Sequence, residues 1–270
     1  MLRLGDRVLL VSTDASVEGV HFDFRWCSPE DAGWRAMAGA ISDIAAMGGA
    51  VIGATISLAL PSGLAEVDAS ALYAGLRGAA EAHGAAIVGG DTTRSPGGIF
   101  IDITVLGEAL DGSYCTRGGA RGGDVLAVTG WPGRSAAALG AYLKAGQKVE
   151  LPEAIAAAHL RPRARLEAGR WLAAQPTVHA LIDASDGVLQ DARHLVERSG
   201  VGVHIDARGE VEDELLRDTC AAQGLDAHAC YWGGGEDYEL LVAIDAGAFP
   251  VVAHALHTRL AVSYTHLRAH

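Results

Sequence analysis

Along this chain, aspartates recur where strand-like apolar runs end, each beside glycine, serine or threonine, and helical stretches separate the runs. Alternating strand and helix patterns belong to layered α/β or α+β units. The carboxyl ends of strands in such layers are where ligand groups collect. Arg7 to Thr13 (RVLLVST) is a β-branched apolar run that stops at Asp14. Ser28, Pro29 and Asp31 then supply an N-cap, a proline for the first helical position and a capping-box acid, which predicts a helix running to Gly48. A strand from about Val51 to Leu60, a helix from Leu64 to His83, and strands at Ala85 to Val88 and Ile99 to Gly107 follow. The order β-α-β-α-β-β predicts helices on one face of a mixed sheet.

The glycine-rich stretch Arg117 to Gly123 (RGGARGG) marks an exposed connection between compact units. After it, strands are expected at Asp124 to Thr129, Ala180 to Asp183, Val201 to Ile205 and Tyr238 to Ile244. Helices are expected at Ser135 to Ala145, Ala164 to Ala174 and Val188 to Ser199. With 270 residues, half of them hydrophobic, two ordinary cores can be buried. The expected division is therefore 1–117 and 118–260. The decapeptide AVSYTHLRAH, 261–270, turns basic and histidine-rich after an acidic chain and reads as a non-native tail.

A net charge of −12 argues against nucleic acid or an anionic membrane as partner, since both require a basic face. An acidic protein can still hold phosphates through metal ions that bridge its carboxylates to the ligand. Cys27, Cys115, Cys220 and Cys230 lack C-x-x-C spacing, so neither a zinc knuckle nor a redox pair is suggested. No window of about 18 apolar residues and no signal-peptide layout is present, and the chain reads as cytoplasmic. A P-loop is excluded, because no G-x-x-x-x-G-K-[ST] occurs.

Each acid alone has a bland reading. Asp14, in S-T-D with hydroxyls at Ser12 and Thr13, offers hard oxygens to magnesium or merely caps a strand. Asp43, in A-I-S-D-I-A-A-M-G, must face water, be paired or hold a cation. Asp91 follows V-G-G, whose backbone can approach a phosphate, but a G-G-D turn is common. Asp183 and Asp186 in I-D-A-S-D-G stand between a strand and a helix, where Asp186 could be only a helix cap. The run W-G-G-G-E-D-Y-E-L carries acids on a bendable loop, and Arg117 and Arg161 suit either phosphate binding or surface ion pairs. Their sum is what points to a site, since independent turns do not each require an aspartate.

Taken in order, S-T-D-A-S-V-E-G-V-H-F, S-D-I-A-A-M-G, V-G-G-D-T-T-R, D-A-S-D-G and G-G-E-D-Y-E-L closely resemble the motifs of the thiamine-monophosphate kinase family, from Arg7 to about Ile244. The resemblance implies the two-domain α/β (α+β) fold of aminoimidazole ribonucleotide synthetase. In that fold an N-terminal mixed-sheet domain binds ATP and magnesium and forms a homodimer, and a C-terminal α/β domain closes over the nucleotide. It implies ATP-dependent phosphorylation of thiamine monophosphate to thiamine diphosphate, with Mg2+ between the two substrates. Carried over by motif, Ser12, Thr13, Asp14, Asp43, Asp91, Asp183 and Asp186 are metal ligands. Gly90, Asp91, Arg117 and Ser185 meet ATP, and His21 and Glu236 meet the thiamine moiety. The acceptor is an ionised phosphate, so no catalytic acid or base is assigned and direct in-line transfer is expected.

The sequence departs from the family in three places. The family's G-D-D-A-A motif and its closing aromatic are not found, so a chain shortened at both ends is expected. R-P-R-A-R, with Ala164, stands where R-P-x-P-R is usual. Two alternatives are a non-catalytic nucleotide or thiamine-phosphate binding protein and another enzyme of the superfamily such as selenophosphate synthetase. The reactive Cys and Lys of the latter have no counterpart here.

Overall fold

The computed structural model describes residues 1–207, 209 and 211–260, and the backbone alone of Tyr264–Leu267. Strands β1 (Leu2–Leu4), β2 (Arg7–Val17), β3 (Ala50–Pro61), β4 (Ile87–Ser95) and β5 (Phe100–Ala109) form one sheet in the order β1-β2-β5-β3-β4. β3 and β4 run parallel, and the other pairings are antiparallel. Alternation along β5 buries Ile101, Ile103 and Val105 on one face and leaves Phe100 and Leu106 exposed on the other.

Two helices cover the buried face: α1 (Pro29–Ala46) and α2 (Glu66–Ala82). The start of α1 follows its sequence signature. Ser28 accepts a hydrogen bond from the Asp31 amide at 3.1 Å and donates to the Asp31 carboxylate at 2.7 Å, with Pro29 in the first turn. The two helices cross in backbone contact, because a Cβ on Gly75 would overlap the carbonyl of Glu30. No helix among the described residues is long and apolar enough to cross a membrane.

The second sheet contains β6 (Asp124–Thr129), β7 (Val178–Ala184), β8 (Glu239–Asp245) and β9 (Tyr264–Leu267), in the antiparallel order β7-β8-β6-β9. The same part of the chain contains α3 (Arg134–Ala145), α4 (Glu153–Leu160), α5 (Leu166–Ala173), α6 (Val188–Ser199), α7 (Glu214–Gln223), α8 (Ala227–Gly233) and α9 (Phe249–Leu260). The first sheet ends at Ala109 and the second begins at Asp124, so the expected boundary at residue 117 lies in the connection. The cores do not divide there. Tyr142 of α3, Ile155 of α4, Leu216 of α7 and Tyr231 of α8 share one apolar cluster with α1 and the first sheet. Helix α1 is therefore buried nearly all round, against α2 and the sheet on one side and α4, α5 and β7 on the other.

Several expectations need correcting. Strand β2 does not stop at Asp14 but continues to Val17, and β4 runs through Asp91 to Ser95, because β5 and β3 provide ladder partners along those lengths. Among the described residues Val201 to Ile205 pairs with no strand; its alternate residues Val201, Val203 and Ile205 pack on the core beside α6. Helices α4, α7, α8 and α9 were not anticipated. Of the tail expected at 261–270, only the backbone of β9 lies within the described residues.

Candidate active site

The inner face of β2 presents Ser12, Asp14 and the buried Ser16 toward α1, where Arg35, Gly39 and Asp43 follow at four-residue spacing along one face. The Ser12 hydroxyl donates to the Asp43 carboxylate. Opposite them β7 delivers Asp183, which is 6% exposed. Burial, then the neighbouring Asp43 charge, push the Asp183 carboxyl up to about 7. The same two causes in the same order raise Asp14. Crowded acids of this kind call for a cation.

Asp186 and Ser185 form the turn from β7 into α6. The Asp186 side chain is 62% exposed and makes no capping bond to α6, whose N-cap is Gly187. The helix-cap reading of Asp186 thus fails. The turn is held from within by the buried Asp191, which accepts from the Asp186 amide at 3.0 Å.

Against this turn lies the loop carrying Glu236, Asp237 and Tyr238. The Glu236 amide donates to the Ser185 carbonyl at 2.8 Å and the Tyr238 amide to the Ala184 carbonyl at 3.0 Å. Glu236 and Tyr238 take left-handed φ values of 63° and 53°, uncommon for residues bearing a Cβ. Asp237 compensates by accepting from the amides of Gly133 and Ser135 at 2.7 and 3.2 Å, where α3 begins. Burial pushes the Asp237 carboxyl up to about 8. Glu239, just beyond, is held by Arg165 at 2.5 and 2.8 Å and by Thr129 at 2.6 Å. The Tyr238 ring packs on Gly39, where any Cβ would press on its hydroxyl at 3.0 Å.

Two cavities meet at this centre. One, of about 270 Å³, is lined by Asp14, His21, Phe22, Ser185, Glu236 and Tyr238 together with Asp43 and Asp183. The other, of about 210 Å³, is lined by Ser12, Arg117, Leu10, Met47 and Leu181, and again by Asp43 and Asp183. The acid pair forms the wall between them. His21 accepts from the Val17 amide through Nδ1 at 3.1 Å, which leaves its proton on Nε2 when the ring is neutral.

The residues expected from sequence do not all converge. Thr13 points to the opposite face of the sheet from Ser12 and Asp14, where it donates to Asp102 at 3.2 Å. Gly90 and Asp91 lie exposed on the edge strand β4, and among the described residues the Asp91 carboxylate accepts only from the Thr92 amide, at 2.9 Å. Neither cavity is lined by these three residues. Arg161 is engaged with Asp31 at 2.7 Å and Glu30 at 2.9 Å, so its ion-pair reading holds. Arg35 and Tyr238 line the site and Asp191 and Asp237 brace it, roles that the sequence motifs do not assign to them. Arg35 had one signal, a position two helical turns before Asp43 in a stretch poor in charge.

Magnesium fits the donors present. Among the described residues no acid, histidine and cysteine side chains close into a ready cage of three. Magnesium does not need one, because it keeps waters and phosphate oxygens and takes only one or two carboxylates. Ser12, Asp14, Asp43 and Asp183 supply hard oxygens, and a cation there would offset the burial and the repulsion that raise Asp14 and Asp183.

Residues 1–109 match the AIR synthase related protein N-terminal domain, and residues 121–255 match the corresponding C-terminal domain. A thiamine-monophosphate kinase from Bacillus subtilis is 35% identical over 237 residues, covering 86% of this chain and 70% of the relative. The crystal structure of thiamine-monophosphate kinase from Stenotrophomonas maltophilia superimposes with a TM-score of 0.87 at 32% identity, covering 97% of this chain and 82% of that one. The structure described as AaThiL complexed with AMPPCP and TMP gives 0.85 at 32% identity, covering 99% and 82%.

Proposed function

Because the chain belongs to the AIR synthase related proteins, and among them to the thiamine-monophosphate kinases, we propose that its two cavities seat ATP and thiamine monophosphate on either side of Asp43 and Asp183. The reaction is transfer of the γ-phosphoryl group of ATP to thiamine monophosphate, giving thiamine diphosphate. The observation that carries the assignment of cavities is the shared wall: one acid pair faces both, so two phosphates brought to it from opposite sides meet end to end. This is the alignment an in-line displacement requires. The cavity with Arg117 suits the nucleotide, since a guanidinium pairs with phosphate oxygens. The cavity with Phe22, Tyr238 and Glu236 suits an aromatic, amine-bearing substrate.

The attacking group is an ionised phosphate oxygen, and no side chain need remove a proton from it. The work of the protein is to orient the two phosphates and balance their charge. Magnesium, when bound by Ser12, Asp14, Asp43, Asp183 and Asp186, supplies the positive charge that lets two anions approach. Ser185 and His21 both line the aromatic cavity, where Ser185 would donate to the phosphates that meet at the acid pair and His21 would meet the thiamine moiety.

Thr13, Gly90 and Asp91 fit this scheme through a second copy. They lie on the outer face or edge of the first sheet, which also exposes Val11, Ile52, Val88, Phe100 and Leu106. A homodimer joined through that face would cover this apolar surface and bring Asp91 within a shared site.

The test is formation of thiamine diphosphate from ATP and thiamine monophosphate, with and without magnesium. Magnesium-dependent product is expected. Binding of ATP with no thiamine diphosphate formed would overturn the reading in favour of a binding protein.

A further inference from the structure

Arg35 and Glu236 lie 201 positions apart in the sequence and meet in the wall of the aromatic cavity, where Arg35 Nη2 donates to Glu236 Oε2 at 2.8 Å. The Arg35 side chain is 5% exposed and that of Glu236 is 26% exposed, so the cation is sunk behind the carboxylate. His159 approaches the same oxygen at 3.9 Å. It brings no charge there, because burial first and Arg35 second push its imidazole down to about 2. Among the described residues Arg35 Nη1 has no hydrogen-bond partner, and Glu236 is the one acid bonded to this guanidinium.

We infer that Arg35 is a positioning residue for substrate selection: it pins Oε2 of Glu236 and leaves Oε1 as a fixed acceptor for the amino group on the pyrimidine ring of the substrate. The inference rests on the placement of thiamine monophosphate in the aromatic cavity. Residues 35, 39 and 43 share one face of α1, and Arg35 lies about 12 Å along the helix axis from Asp43. That separation suits a two-ring substrate whose phosphate is at the acid pair and whose far ring is at Glu236. Gly39 keeps the face between them flat enough for the Tyr238 ring to lie there.

The selectivity follows from donor and acceptor roles. A carboxylate paired to a guanidinium accepts hydrogen bonds and has no proton to give. It therefore welcomes an amino group and opposes an oxo group at the same ring position, because two acceptors would face each other. The left-handed backbone at Glu236, held through the Ser185 carbonyl, limits where the carboxylate can go, and Arg35 decides which of its oxygens is spent.

The experiment compares thiamine monophosphate with oxythiamine monophosphate, which carries oxo in place of amino, as substrates for the full chain with ATP and magnesium. Variants R35M, R35K, E236Q and R35M/E236Q are assayed for kcat, for KM of each substrate and for melting temperature. Wild type should prefer the amino substrate. R35M should raise the KM for thiamine monophosphate at least tenfold, with the KM for ATP within twofold, and R35K should restore most of the loss. E236Q should erase the preference, since its amide can donate to the oxo group. The double variant should match E236Q rather than multiply the two effects, as expected when one residue acts through the other. It leaves neither the buried Arg35 cation nor the Glu236 carboxylate unpaired, so it remains informative if a single variant does not fold. Failure of wild type to form thiamine diphosphate would overturn the underlying placement of the substrate. Turnover with a preference unchanged in E236Q would remove Glu236 as the acceptor and with it the role of Arg35, and fully additive losses in the double variant would overturn the role of Arg35 alone.

Discussion

Asp43 is the side chain on which both cavities depend, and its environment is defined by two neighbours, the Ser12 hydroxyl and the Asp183 carboxyl. Replacing it with Asn preserves shape and removes charge. D43N should lower kcat about 100-fold, the scale seen when one preorganised electrostatic contact is lost, while the melting temperature stays level or rises as repulsion is relieved. Near-normal turnover of D43N at limiting magnesium would remove Asp43 from the site. His159 offers a prediction about stability. Its folded value is near 2, whereas an unfolded histidine titrates near 6.5, so the unfolded chain takes up a proton that the folded chain refuses. Its contribution is complete above about pH 6.5 and is lost as pH falls, by about 2–3 kcal/mol at pH 4.5. Urea unfolding of wild type and H159Q at pH 7 and 4.5 should show a smaller acid loss in the variant. Equal losses would mean that His159 becomes protonated in the fold.

At the level of elements, α1 connects the parts of the site: Arg35, Gly39 and Asp43 all stand on it, and its other faces carry the core. Its position depends on the backbone contact with α2. G75A would place a methyl group against the Glu30 carbonyl and force the helices apart, costing about 1–3 kcal/mol. A melting temperature lower by several degrees should accompany a higher KM for both substrates. Unchanged stability would show that the crossing can yield. The start of α1 was legible because Ser28, Pro29 and Asp31 form a local signal. The span of β2 was not. Its continuation past Asp14 depends on β5, about 90 residues away, and that continuation decides that Asp14 faces α1 while Thr13 faces outward.

For the whole molecule, the outer face of the first sheet is the surface that a second copy would cover. V88D, on the edge strand and far from both cavities, should convert a dimer to a monomer in sedimentation velocity and lower turnover without unfolding the chain. A V88D chain that still sediments as a dimer would move the interface elsewhere.

The sequence by itself determined the alternation of strands and helices in the first unit, the capped start of α1, the exact extents of β6 and α6, and the family, because each rests on local periodicity or on a motif read in order. It also named the acids. Only the tertiary structure decided which of them share a site, since strand alternation separates neighbours such as Ser12 and Thr13, and packing of the second unit on α1 brings Asp183 to Asp43 and Glu236 to Arg35. Those pairings join residues up to 201 positions apart, and they depend on burial and on charge neutralisation, which no local pattern encodes.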